Sequence, residues 1–408
     1  MKVYRVGILT EQFINWGGGI DFIRLIIKGL IALNSDKNSP EVILYVLIPK
    51  SKKFIIKFKN TLKYVLNFFF NNKFVLQINI ENEQILKTFK DVDNRITICY
   101  YTNLNSSLKK QVLNNQIDFI IPTFVPLSKN FPVHWVGYLY DFQHKYYPQF
   151  FSFSELKRRD KVFSFMLNSA EIVIVNAKTV SKDIQYFIGK TNAKVVALPF
   201  CPVLNTTFFN LNVELDKYQL PEKYFMISNQ FWKHKDHVTA FKGYKLFLDG
   251  QSDKNICLVC TGKTQDSRFP NYFQEILDLI NDLDLKKNIF ILGYIPKNDQ
   301  LQILKNSLAL IQPTLFEGGP GGFAVYESVA YGIPSIVSDI PVNKEIEDET
   351  LTFFKTGSPE DLAKKMKAIS KKQKKVYSAQ ELIEKNNKSL IKLGGVLINT
   401  FPKNHFIN

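Results

Sequence analysis

Cysteine is scarce in this chain, with four among 408 residues: Cys99, Cys201, Cys257 and Cys260. That is too few for a disulfide framework and fits a reducing compartment, the cytoplasm. Cys257 and Cys260 form the stretch "CLVC", but no second pair completes a zinc site. The surrounding "NICLVCTG" reads as a buried strand, on which positions three apart point to opposite faces, so the pair is read as packing. Long apolar runs are missing too. None approaches the roughly 20 residues that a bilayer-spanning helix needs. The opening "MKVYRVGILTEQF" reads as a strand, without the apolar core and cleavage site of a secretory leader. Acidic residues are absent between Glu41 and Glu81, where seven lysines fall, from Lys50 to Lys73.

The remaining composition is that of a folded protein. Hydrophobic residues make up 45% of the chain, and the formal net charge is +16. Burial is therefore ample, and an acidic partner is expected. The stretch 50–73 interleaves lysines with aromatics. It reads either as a helix lying in an anionic membrane surface or as a solvated helix with a buried aromatic face. Lys364 to Lys375 reads as a solvated helix face.

Short apolar strands alternate with amphipathic segments almost end to end, the pattern of an α/β fold with parallel sheets. "VYRVGIL", "VILYVLI", "ITICYY", "DFIIPT", "WVGYL" and "EIVIV" read as strands in the first half, with helices at Ile20 to Leu33 and Glu155 to Leu167 between them. Residues 199–221 break the rhythm with prolines and polar turns. The alternation restarts with "YFMIS", "ICLVCTG", "IFILGYI", "LALIQPT" and "PSIVSD", and a last helix covers Ser378 to Leu393. The pattern predicts two Rossmann-like domains in tandem, residues 1–205 and 206–377. Residues 378–408 form a terminal helix returning to the first domain. Ligands of such sheets bind beyond the carboxyl ends of the strands, so a cleft between the domains is the expected site.

The densest chemistry lies in "FEGGPGGFAVYES", Phe316 to Ser328, between a strand and a helix. Glycines there let backbone N–H groups approach a ligand, and a helix start favours phosphate. Glu327, in the first turns of that helix, is placed to accept from ribose hydroxyls. Glu317 precedes the glycines. A second stretch, "YFMISNQFWKHKDH", puts His234 and Lys235 after a strand end, where Lys235 is a candidate diphosphate partner. A third, "TEQFINWGGGIDF", places Trp16, Gly18 and Gly19 at the first strand–helix junction. A fourth, "WVGYLYDFQHKYYPQFF", places Asp141 and His144 after a strand. Asp141 either orients that histidine or caps a helix. Trp135, Tyr138, Tyr146 and Tyr147 are candidates for stacking on sugars, with core packing the commoner use. His134 and His405 have no such context.

The run from Pro313 to Ile346 resembles the donor-binding signature of retaining glycosyltransferases of family 4, which have the two-domain GT-B fold. The usual signature has two glutamates with seven residues between them, whereas Glu317 and Glu327 have nine. The resemblance implies that Glu327 holds the nucleotide ribose and that Glu317 approaches the donor sugar. Gly321, Gly322 and Phe323 would offer backbone donors. In that family an arginine and a lysine five positions apart hold the leaving diphosphate. Lys235 matches the lysine, but Gln230 stands at the arginine position, so a second charge would have to come from elsewhere, with His234 a candidate. Gly18 and Gly19 would face the donor phosphate, and Trp16 and Asp141 the acceptor. Lys235, Glu317 and His144 would then be the catalytic set, with the leaving phosphate itself accepting the acceptor's proton.

The expected activity is transfer of a sugar from a nucleotide-diphosphate sugar to a saccharide or lipid-linked saccharide hydroxyl, in surface polysaccharide synthesis. The expected location is the cytoplasm, at the inner face of the plasma membrane. No metal or other cofactor is implied, since no DxD-type pair is present and Lys235 and the helix start already face the diphosphate. Two other readings fit the same pattern. A nucleotide-sugar epimerase would turn over donor without an acceptor. A non-catalytic basic module would bind an anionic membrane or nucleic acid with steep salt dependence, although no nucleic-acid motif appears.

Overall fold

The structure, a computed structural model, describes residues 3–15, 17–35, 39–50, 88–210, 213–252 and 254–401. Trp16 and the basic stretch from residue 51 to 73 lie outside the described residues. The first domain contains β1 (Val3–Leu9), α1 (Gly17–Ala32), β2 (Glu41–Pro49), β3 (Thr97–Tyr101), α2 (Ser107–Asn114), β4 (Phe119–Thr123) and β5 (His134–Leu139). It continues with α3 (Gln143–Tyr146), α4 (Phe153–Ser169), β6 (Ile172–Val175), α5 (Lys178–Phe187) and β7 (Lys194–Ala197). The second holds β8 (Tyr224–Ser228), α6 (His237–Asp249), β9 (Cys257–Thr261), α7 (Tyr272–Asp282), β10 (Ile289–Gly293), α8 (Lys297–Asn306) and β11 (Leu310–Gln312). It ends with α9 (Gly322–Ala330), β12 (Ser335–Ser338), β13 (Leu351–Phe354) and α10 (Pro359–Ser370). A last helix, α11, covers Ala379–Ile398.

Each domain is one parallel sheet flanked by helices. The strand orders are β3-β2-β1-β4-β5-β6-β7 and β10-β9-β8-β11-β12-β13. Strand order reverses beside β1 and beside β8, and crevices for ligands open at such reversals. The loops after β1 and after β8 and β11 therefore flank the same cleft, and these carry three of the stretches singled out above. The central strand β4 is buried at every position. Cys257 and Cys260 are buried on β9, in different apolar clusters on the two sides of the sheet, as expected for period-two alternation.

Several elements differ from the sequence reading. Strands β7 and β13 extend the two sheets beyond the expected set. Both are only four residues long and partly exposed, so their apolar signal is weak. Helix α1 begins at Gly17, which makes the glycine triplet its first turn. Segment 199–221 is packed inward at its start: Cys201, Pro202, Leu204 and Phe208 are buried, and Phe208 stacks on Tyr331 with ring centres 3.6 Å apart.

Two features join the domains. Helix α11 starts with a capping box, Ser378 and Glu381, and runs back over the first domain. There Leu390, Leu393 and Leu397 share a core with Ile23, Ile26 and Leu30 of α1. Glu345, from the second domain, accepts hydrogen bonds from Lys178 N (2.8 Å), Thr179 N (2.6 Å) and Thr179 Oγ1 (2.6 Å). Ala177, the residue before helix α5, has no capping side chain, so a carboxylate from the facing domain caps the helix. No helix among the described residues is long and apolar enough to cross a membrane.

Candidate functional site

A cavity of about 470 Å3 lies between the facing strand ends of the two sheets. It brings together Gly18, Asp141, Gln230, His234, Lys235, Glu317, Gly322, Phe323 and Glu327. Gly19, Gly321 and His144 are not among its lining residues. A larger open groove, about 850 Å3, lies at the amino ends of the first-domain strands, near Arg5, Asp118 and His134. Of the candidate residues it holds Trp135 alone, and its Asp118 is tied to the backbone N–H of Arg5 at 2.7 Å. The cleft is thus the candidate site.

The glycine loop after β11 is shaped by two left-handed residues, Gly321 (φ 69°) and Gly322 (φ 66°). A side chain on Gly321 would place its Cβ 2.5 Å from Val325 Cβ, so only glycine fits. Gly321 itself faces inward, its N–H donating to Asn343 Oδ1 at 2.8 Å and its carbonyl accepting from Gln312 Nε2 at 2.9 Å. It therefore locks the turn and offers no donor to a ligand, contrary to expectation. Gly322 and Phe323, at the start of α9, line the cavity. Their helix terminus presents the partial positive charge that favours an anion. Gly318 and Gly319 reach across the cleft. A Cβ on Gly318 would meet Asp141 at 2.8 Å, and one on Gly319 would meet Asn176 at 3.3 Å. This end of the loop thus lies against the other domain.

Glu327 is only 6% exposed. Its Oε1 is paired with Lys297 at the start of α8, and its Oε2 is buried without a hydrogen-bond partner. Burial pushes its pKa above the ordinary carboxylate value, and Lys297 opposes that shift. A buried acceptor with a free oxygen, lining a cavity, is the arrangement a hydroxyl ligand would complete. Asp21 of α1 is also raised by burial, with Lys297 again the leading opposing charge.

Lys235 and Glu317 hold each other. The Lys235 ammonium donates to Glu317 Oε1 at 2.5 Å, with side chains 13% and 10% exposed. Gln312 Nε2 donates to the same oxygen at 2.9 Å, and Gln312 Oε1 accepts from Asn229 at 2.7 Å. The two residues expected to act on separate parts of a ligand are one ion pair here.

The histidines depart further from expectation. His144 is fully buried, its Nε2 facing Asp160 Oδ1 at 3.0 Å and its ring packed among Phe142, Phe151 and Phe163. Burial holds its pKa below the usual value, against the pull of Asp160. It sits behind the cleft wall because α3 carries the ring toward α4. Asp141 does line the cavity. Its Oδ1 accepts from the backbone N–H of Gln143, two residues on, at 2.9 Å, and the carboxylate that faces His144 is Asp160 instead. His234 lines the cavity with Nδ1 buried and unpartnered. Burial, then the nearby Lys235, push its pKa down to about 2. It is neutral and cannot replace the missing arginine charge. Gln230 lines the cavity with Oε1 buried and unpartnered.

Residues missed in the sequence also line the cleft: Lys263 after β9, and Tyr294 and Lys297 after β10. Ser228 Oγ accepts from Gln300 Nε2 at 2.7 Å and from Thr261 Oγ1 at 3.2 Å. The available signal was position, since "CTGK" and "GYIPK" each put a lysine just beyond a strand's carboxyl end. Among the described residues, no group of three or more His, Cys, Asp or Glu side chains is placed to hold a metal ion.

Residues 214–389 match the family described as "Glycosyl transferases group 1". No curated protein sequence matches the chain. The structure of HepE from Anabaena in complex with UDP and glucose covers 98% of this chain and 95% of its own, with a TM-score of 0.56 at 13% identity. Sucrose-phosphate synthase from Thermosynechococcus elongatus covers 97% and 94%, with a TM-score of 0.55 at 14% identity. The lipopolysaccharide outer core galactosyltransferase WaaB, without ligand, covers 98% and 100%, with a TM-score of 0.54 at 14% identity. Residues 214–389 thus resemble the glycosyl transferases group 1 family, in a chain whose overall fold is the two-domain GT-B fold that these solved structures share.

Proposed function

We propose that this protein is a retaining glycosyltransferase that moves a sugar from a nucleoside-diphosphate sugar to a hydroxyl of a saccharide or lipid-linked saccharide. The observation that carries the reading is the convergence of Lys235, the amino end of α9 and the half-satisfied Glu327 carboxylate on one cavity. Ribose hydroxyls donate to Glu327 Oε2. The diphosphate lies over the amides of Gly322 and Phe323, with Lys235 bridging it to Glu317. The sugar then points toward Asp141, across the cleft, where the acceptor binds. HepE, one of the structural relatives, was determined with UDP and glucose, a compatible ligand chemistry.

In the reaction the bond between the sugar's anomeric carbon and the diphosphate oxygen breaks, and the acceptor oxygen bonds to that carbon from the same face. The acceptor's proton passes to the departing phosphate oxygen. Glu317 stays engaged by Lys235 and Gln312, so it orients hydroxyls and does not attack. The acceptor belongs to surface polysaccharide synthesis, as in the lipopolysaccharide setting that the WaaB name describes. A net charge of +16 suits an acceptor held at an anionic membrane face.

Thermal unfolding with UDP, GDP, ADP and their common sugar conjugates tests this. One nucleoside diphosphate at about 100 times its Kd should stabilise the wild type by about 2.7 kcal/mol. In Glu327→Ala its affinity should fall roughly 10- to 100-fold, the size of a hydrogen bond to a charged group. NMR of the product should show the donor's anomeric configuration. Stabilisation by none of the nucleotides ends the assignment. Donor turnover without acceptor, giving an epimerised sugar, would replace it with the epimerase reading.

A further inference from the structure

We propose that Lys263 supplies a second positive charge on the diphosphate, beside that of Lys235. This rests on the reading above, that the cleft takes a nucleoside diphosphate.

The charges on the cavity wall lead to Lys263. Its described lining carries three lysines (235, 263 and 297) and three carboxylates (Asp141, Glu317 and Glu327). Lys235 is held by Glu317 and Lys297 by Glu327. The ammonium of Lys263 instead lies over the ring of Tyr294, 5.7 Å from its centre, and that ring is 79% exposed. A departing diphosphate gains charge as the sugar bond breaks, so one lysine already shared with a carboxylate leaves it under-compensated. A cation over an exposed ring is held weakly compared with one that donates to phosphate oxygens, so Lys263 is free to move onto the ligand.

The backbone places it where the charge is missing. Gly262 has φ 134°, and a Cβ there would fall 2.1 Å from the carbonyl oxygen of Asn229. The loop after β9 therefore lies directly against the loop after β8. It is fastened there by the Phe231 N–H, which donates to the Lys263 carbonyl at 2.9 Å. Lys263 is thus anchored beside Gln230. The buried, unpartnered Oε1 of Gln230 gives the ammonium an acceptor on its path inward. In this arrangement the loop after β9 supplies a second charge beside that of Lys235.

The test uses the full chain with UDP, GDP and ADP, and with UMP, GMP and AMP, read by titration calorimetry. Lys263→Gln should weaken the best-bound diphosphate about 10- to 100-fold, the range of a charge-assisted contact, and leave the matching monophosphate within about threefold. Lys263→Arg should keep most of the affinity. Adding Gln230→Arg to Lys263→Gln should restore it, since the charge then returns from the neighbouring loop. Lys263 is exposed, so these variants should fold, and their unfolding temperatures check it. Unchanged diphosphate affinity in Lys263→Gln, beside a loss in Lys235→Gln, overturns this proposal and leaves the glycosyltransferase reading standing. Equal losses for mono- and diphosphate, or no rescue by Gln230→Arg, also overturn it. Failure of the wild type to bind any of the six nucleotides overturns both.

Discussion

Replacing Lys235 with Met separates two things that this side chain does. In the ligand-free protein it neutralises Glu317, at 2.5 Å, in a setting where both side chains are nearly buried. Removing one partner of a buried pair costs about 3–5 kcal/mol because the other charge is left unpaired. Glu317 keeps the donor Gln312, so the expected loss is lower, about 2–4 kcal/mol. In a domain of this size that corresponds to a fall in Tm of roughly 5–15 °C. The second role is at the transition state, where one well-aimed donor is worth about 3 kcal/mol, or 100- to 1,000-fold in kcat.

The double variant Lys235→Met/Glu317→Gln tells the roles apart. It contains no unpaired carboxylate, so its Tm should return to within a few degrees of the wild type while kcat stays low. Scanning calorimetry without ligand and initial rates with the identified donor measure the two quantities. A Lys235→Met protein that melts with the wild type would show that the ion pair does not support the fold. A double variant with wild-type kcat would show that the cation does nothing for the reaction.

Two further outcomes concern the interdomain cap and a buried histidine. Glu345→Ala removes the three hydrogen bonds at the start of α5, and should cost about 1–2 kcal/mol. Amide exchange of Lys178 and Thr179 should accelerate selectively, and unchanged exchange would mean that the interdomain cap is not formed in solution. His237 is stacked on Phe231 at 4.2 Å with both ring nitrogens unpartnered, and burial pushes its pKa from 6.5 down to about 3. Below pH 6.5 the unfolded chain takes up a proton that the folded one refuses. Its contribution to stability is therefore complete above that pH and falls, by up to about 1.4 kcal/mol per unit, as the pH drops. Unfolding of His237→Phe by urea at pH 7.5 and 5.0 should show a smaller acid loss than the wild type, and an equal loss would refute the assignment.

The alternation of apolar strands and amphipathic helices was enough to read two parallel sheets in tandem, because burial on a sheet face or a helix stripe is written at local spacing. The glycine loop and Glu327 were legible for a similar reason: a turn that needs left-handed residues and a helix start announce themselves within a dozen positions. The short strands β7 and β13 were missed because four partly exposed residues make no periodic signal.

What the linear order could not disclose is which charges meet. Lys235 and Glu317 lie 82 positions apart, and Glu345 reaches an amide 167 positions away. Whether such groups pair depends on where distant strand ends converge, and no local spacing encodes that. The same convergence turned His144 into an aromatic pocket beside Asp160 and left His234 neutral. It also put two lysines from unremarked loops, Lys263 and Lys297, on the wall of the cleft. Residue types and local periods were readable from the chain. The protonation, pairing and direction of each polar group were decided by packing, since burial sets the cost of a charge and only the folded shape sets burial.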